Sequence, residues 1–67
     1  MTICVEWYQI MKDGKYSGRN VAINYNINDV VKRQMARERL FADYPKEEGY
    51  ELKYMHVNRF NAVEIVT

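Results

Sequence analysis

The first eleven residues restrict the fold more than any other segment, because their polar and apolar side chains alternate. One side of an extended strand would carry Ile3, Val5, Trp7 and Met11, and the other would carry Thr2, Cys4, Glu6, Tyr8 and Ile10. This alternation is typical of a strand with one buried face. Since the first row includes the bulky Trp7, we expect Val5 and Trp7 to be buried against the helix predicted below.

A second alternating segment at 18–25 predicts a partner strand, and the intervening sequence KDGK favours a hairpin. A two-residue turn at Asp13-Gly14 would set Val5 opposite Ala22. A three-residue loop that includes Lys12 would instead set Val5 opposite Val21, and it would place Arg19 beside Trp7. We predict the three-residue loop, since it unites the apolar residues of the two strands.

The segment from 27 to 44 has the periodicity of an amphipathic helix. One side of a helical wheel carries Ile27, Val30, Val31, Met35, Phe41 and Ala42, and we expect it to face the sheet. Asn26 or Asn28 can cap the helix, with Asp29 in its first turn, and the Tyr44-Pro45 step would end it. The opposite side carries Lys32, Arg33, Arg37 and Arg39, and we expect it to face solvent.

The tail from Glu51 to Val66 is too long for a single strand in so small a domain. A turn at Asn58-Arg59 would pair Leu52 with Ile65 and Tyr54 with Val63, and it would set Lys53 opposite Glu64. We therefore predict one α+β domain over residues 1–67. Its order is ββαββ, an antiparallel sheet with one helix packed on one face.

Composition and charge exclude several classes of protein. A chain of 67 residues with 48% apolar residues forms one small folded domain rather than a disordered region. A net charge of +1 argues against a polyanion as the main partner. The single Cys4 excludes an internal disulfide, and no apolar run approaches the roughly 20 residues of a membrane span. With no basic signal-peptide region at the N-terminus, we predict a cytoplasmic protein that does not bind membranes.

Residues that could carry chemistry are sparse. His56 is the one histidine, and we interpret it as a strand residue rather than as the general base of a small hydrolase or nuclease. One histidine and one cysteine cannot form a four-ligand zinc site, and the three glycines form no phosphate-binding motif. We predict no enzyme activity, no cofactor and no metal.

Two surfaces remain as candidates for binding a partner. The first is the basic helix face, Lys32, Arg33, Arg37 and Arg39, which fits phosphates or an acidic protein patch. The second is the outer face of the C-terminal hairpin, where Met55, Val57 and Phe60 would form an apolar row that Tyr8 and Tyr16 extend. The alternatives for this second surface are that its two faces are assigned the wrong way round, or that the C-terminal hairpin curls over its own core.

In size and composition the chain resembles the very short single-domain proteins of bacteriophages and mobile elements, which are rich in Asn, Tyr, Ile and Lys. The resemblance implies a protein that binds and blocks a host protein, including defence enzymes such as CRISPR nucleases. We therefore predict a small non-enzymatic binding protein that inhibits or regulates another protein. The alternative is a nucleic-acid-binding module that uses the basic helix face, and a homodimer is compatible with both.

Overall fold

The computed structural model describes residues 2–61, which form three antiparallel strands and one α-helix. In chain order these are β1 (Thr2–Lys12), β2 (Lys15–Asn26), α1 (Val30–Asp43), a short 3-10 turn (Lys46–Glu48) and β3 (Tyr50–Asn61). The strands have the order β2-β1-β3, so β1 is central and the other two are edges. The helix packs on one face of this sheet. The predicted α+β class with a helix on an antiparallel sheet is confirmed as ββαβ.

The predicted turn at Asn58-Arg59 is wrong, because β3 runs through both residues without a break. Arg59 lies opposite Cys4, and Asn61 lies opposite Thr2 at the far end of β1. The second edge of β1 offers a partner along its whole length, and Asn58-Arg59 lacks the glycine of a tight hairpin turn. The predicted fourth strand falls in residues 62–67, which lie outside the described residues.

The hairpin between β1 and β2 turns at Asp13-Gly14, so the predicted three-residue loop is wrong. Asp13 and Gly14 have φ of 52° and 81°, the left-handed pair that a type I′ turn requires. A bulge opposite Ile10 and Met11 then moves the register by two residues, with Gly18 at φ 86°. As a result Trp7 lies opposite Ala22, and Arg19 lies opposite Ile10 rather than beside Trp7.

This register decides which face of the sheet the helix covers. It sets Tyr8 opposite Val21, Glu6 opposite Ile23 and Cys4 opposite Tyr25. The even positions of β1 therefore share a face with the apolar row of β2, and together they form the core. The buried residues are Cys4, Glu6, Tyr8, Ile10, Ile23 and Tyr25. The prediction that Val5 and Trp7 are buried against the helix is wrong, because both lie half-buried on the opposite face.

The helix begins and ends close to where the sequence predicts. The Asp29 carboxylate caps it by accepting a hydrogen bond from the Lys32 amide at 2.9 Å, so the cap is Asp29 rather than Asn26 or Asn28. The last residue is Asp43, and Tyr44-Pro45 follows, as predicted.

The side of the helix that faces the sheet is the opposite of the predicted one. Half-buried Arg33, Ala36, Arg37 and Leu40 are spaced by three or four residues and lie on the sheet side. The predicted core residues Val30, Val31, Met35 and Phe41 point outward and are 46–70% exposed. Ala36 and Leu40 provide the apolar contact of the helix with the core cluster of the sheet.

Candidate binding surfaces

A buried acid explains why arginine lies on the sheet side of the helix. Glu6 is only 4% exposed, in the middle of the central strand. Its carboxylate accepts hydrogen bonds from the Tyr8 hydroxyl at 2.7 Å, the Tyr25 hydroxyl at 2.5 Å and the Arg33 Nε at 2.9 Å. A buried carboxylate needs such partners, because an unpaired charge is very costly in the interior. The Glu6 network, as we call these four residues, therefore fixes α1 against β1 and β2.

The protonation state of each member follows from these contacts. Burial alone would raise the pKa of Glu6, but hydrogen bonds from Tyr25, Tyr8 and Arg33 outweigh it and hold the pKa below its usual value. Burial raises the pKa of Tyr8 to about 12, and the Glu6 carboxylate adds to the effect. Burial likewise raises the pKa of Tyr25. At neutral pH Glu6 is therefore charged while both phenols are neutral donors, which is an arrangement suited to holding structure.

The predicted basic helix face does not form as one exposed surface. Arg33 is engaged by Glu6, and Arg37 is half-buried with its guanidinium 5.7 Å from the centre of the Phe41 ring. Lys32 and Arg39 remain exposed. Arg33 thus turns toward the sheet because the buried carboxylate binds it, whereas the buried Nε of Arg37 has no hydrogen-bond partner among the described residues.

The outward side of α1 is apolar but interrupted. Its exposed members are Val30, Val31, Met35, Phe41 and Ala42, which we call the outward helix stripe. Between them, the Gln34 amide donates a hydrogen bond to the Glu38 carboxylate at 3.4 Å. This polar pair divides the stripe into two narrow rows, so it offers no continuous apolar patch.

The side of the sheet away from the helix carries an apolar row that is unbroken from Ile3 to Trp7, with Gln9 separating it from Met11. The central strand contributes Ile3, Val5, Trp7 and Met11, and β3 adds Phe60 opposite Ile3. No element in residues 2–61 covers this row, and Phe60 is 53% exposed. We call these five residues, with their neighbours on the edge strands, the open sheet face.

The edge strands surround this apolar row with mostly uncharged polar groups. Asn24 and Asn58 lie on either side of Val5, while Ala22 and His56 lie on either side of Trp7. The charged residues of this face, Glu51 and Lys53, lie together near the N-terminal end of β3. An apolar centre with an aromatic residue and a polar rim is the usual anatomy of a protein interface.

The structure brings together only part of the predicted sheet surface. Phe60 and Tyr16 lie on the open sheet face. Met55 is the extra residue of a bulge in β3, opposite Trp7 and Tyr8 of β1. Tyr8 and Val57, in contrast, face the helix, and Tyr8 is buried. Sequence reasoning missed Ile3, Val5 and Trp7 as surface residues. Their alternation was visible, but the two-residue turn at Asp13-Gly14, in place of the predicted three-residue loop, gives them the polar row of β2 as neighbours.

Within residues 2–61 no group of three or more potential metal ligands lies together, and no helix is long and apolar enough to cross a membrane. Cys4 is buried at 2% exposure and carries a free thiol. His56 is exposed beside Trp7 on the open sheet face.

The chain matches no protein-family model, no curated protein and no solved structure. Its function has to be inferred from the surfaces described above.

Proposed function

We propose that this chain is a small non-enzymatic protein that binds another protein through the open sheet face and so inhibits or regulates it. The observation that carries the proposal is the position of Trp7. It lies among Ile3, Val5 and Phe60 on a side of the sheet that no described element covers. An apolar row that includes a half-buried tryptophan outside the core usually marks a contact site.

Trp7 has the properties of an interface hot spot. It sits on the central strand, so the edge strands hold its surroundings in place on both sides. Hot spots are enriched in tryptophan and lie near the middle of an interface, where surrounding groups exclude water. Asn24 and Asn58 would provide that rim and could hydrogen-bond to a partner without the cost of burying a charge.

The other two candidate surfaces fit a partner less well. The outward helix stripe is divided by Gln34 and Glu38, whose burial under a partner would have to be compensated by new hydrogen bonds. A nucleic-acid partner would be held by phosphate contacts, yet only Lys32 and Arg39 of the four helix cations are exposed. Two cations give little counterion release and hence weak binding.

The experiment compares two matched substitutions that each place a carboxylate in one candidate surface. Ala22 is exposed beside Trp7 on the open sheet face, and Ala42 is exposed in the outward helix stripe. Tagged wild-type chain is used to capture a partner from cell lysate with and without nuclease treatment, and the purified partner is then titrated against each variant by calorimetry. We expect Ala22→Glu to weaken binding roughly 30-fold or more, the scale of a hot spot, and Ala42→Glu to change it less than about 3-fold.

Phe60→Ala provides a second variant, because its exposed ring can be removed without emptying the core. It should also weaken binding, with the fold of every variant checked by circular dichroism. If Ala42→Glu abolishes binding while Ala22→Glu does not, the partner docks on the helix. If capture requires intact nucleic acid and the chain binds random duplex DNA tightly, the nucleic-acid alternative is correct.

A further inference from the structure

We infer that β3 is also the edge through which two copies of this chain pair, antiparallel and about a two-fold axis between Met55 and His56. The product would be a continuous six-stranded sheet. This inference is independent of the proposed function, since it concerns the edge of the sheet rather than its open face.

The two edges of the sheet differ in whether they can accept a second copy. The helix lies over β2, so pairing through β2 would bring two helices together above strands that are only about 4.8 Å apart. Packed helices need about 8–10 Å between their axes, so this edge is crowded. Among residues 2–61, no helix lies over β3 and no strand pairs with its outer edge. A free edge of this length readily pairs with another strand.

The bulge at Met55 selects the register of such a pair. β3 runs from Tyr50 to Asn61, so its midpoint lies between Met55 and His56, where the bulge also lies. In a regular strand, side chains alternate between the two faces. If two such strands pair about a two-fold axis that lies between two residues, each side chain is set opposite one that belongs to the other face. The bulge changes the alternation at that midpoint, so the faces match on both sides of it, from Tyr50 to Tyr54 and from Val57 to Asn61.

The side chains that meet in this register are compatible. On the helix side, Tyr54 would lie opposite Val57 of the second copy, and Leu52 opposite Arg59. On the open side, Lys53 would lie opposite Asn58, and Glu51 opposite Phe60. No two like charges face each other, and Tyr54, which is 56% exposed, gains an apolar neighbour. In this register, therefore, no charge repulsion between opposite side chains opposes dimer formation.

The predicted pairing of Lys53 with Asn58 can be tested by placing either a positive or a negative charge at position 58. Because Lys53 and Asn58 would meet twice in each dimer, Asn58→Lys sets cations opposite each other and Asn58→Glu sets opposite charges together. By sedimentation equilibrium at low salt, we expect the dimer dissociation constant to rise about 3- to 20-fold for Asn58→Lys and to fall for Asn58→Glu. The double variant Lys53→Glu with Asn58→Lys restores opposite charges and should restore dimerisation.

Asn24 provides the matched control, because it flanks Val5 on the β2 edge as Asn58 does on the β3 edge. Asn24→Lys and Asn24→Glu should leave the dissociation constant within about 2-fold of wild type. A wild-type chain that stays monomeric at high micromolar concentration would overturn the inference. So would a dimer that responds to Asn24, which would indicate the β2 edge, or one that responds equally to both Asn58 variants.

Discussion

At the scale of single residues, the position of the helix depends most on Glu6. Replacement by Gln keeps the shape of the side chain but removes the charge that pairs with Arg33 and accepts from Tyr8 and Tyr25. We expect Glu6→Gln to lower the free energy of unfolding by about 1–3 kcal/mol in urea titrations at pH 7. Glu51→Gln makes the same change at an exposed position of β3 and should cost less than about 0.5 kcal/mol. Equal losses in the two variants would contradict the structural role of Glu6.

The same network sets how stability depends on pH. The pKa of Glu6 is lowered in the folded state, so its contribution is present above the unfolded pKa and is lost as pH falls through the folded pKa. The pKa of Tyr8 is raised from 10.0 to about 12, so its contribution is present below pH 10 and is lost as pH rises toward 12. The stability difference between wild type and Glu6→Gln should therefore be constant near neutrality and shrink in acid. A difference that instead grows in acid would contradict the assignment.

At the scale of elements, the face of β1 that the helix covers can be tested, because β1 carries an isoleucine on each face. Ile10 is 1% exposed on the helix side of the sheet, while Ile3 is half-buried on the open sheet face. Ile10→Thr places a hydroxyl in the core and should cost about 2–4 kcal/mol, whereas Ile3→Thr should cost less than about 1 kcal/mol. Urea titration of both variants measures the difference. A larger loss for Ile3→Thr would show that the helix covers the other face.

The elements themselves could be predicted from the sequence, but their orientations could not. Alternation and the helical period identified β1, β2 and α1, and the Tyr44-Pro45 step fixed the end of the helix. The buried face of β1 was assigned from its apolar alternation and the bulky Trp7, which placed Glu6 on the other face. Glu6 can be buried because its carboxylate pairs with Arg33 of α1. Arg33 is distant from Glu6 in the sequence, so no local pattern reveals this partner. Likewise, the length of the turn decides which row of β2 shares a face with Glu6, and the sequence KDGK is compatible with both turn lengths.

At the scale of the whole molecule, the apolar side chains are distributed unusually for a stable monomer. Among the described residues only five apolar side chains are buried, whereas Val30, Val31, Met35, Phe41, Tyr54, Phe60 and others are exposed. So small a domain buries a modest fraction of its surface, and its stability is correspondingly limited. A second copy paired along β3 would join two open sheet faces into one wider surface, on which the two Trp7 side chains flank the two-fold axis.

This arrangement predicts that the stability of the chain depends on its concentration. When a dimer unfolds to two chains, a tenfold rise in concentration stabilises it by about 1.4 kcal/mol, shared between the two copies. For a domain of this size that corresponds to a rise in Tm of about 3–6 °C per tenfold concentration. Differential scanning calorimetry of wild type from low to high micromolar concentration measures this change in Tm. Asn58→Lys should make Tm depend less on concentration, because it weakens the dimer. A Tm that is the same at every concentration would mean that the folded unit is the monomer, with its open sheet face left entirely for a different partner.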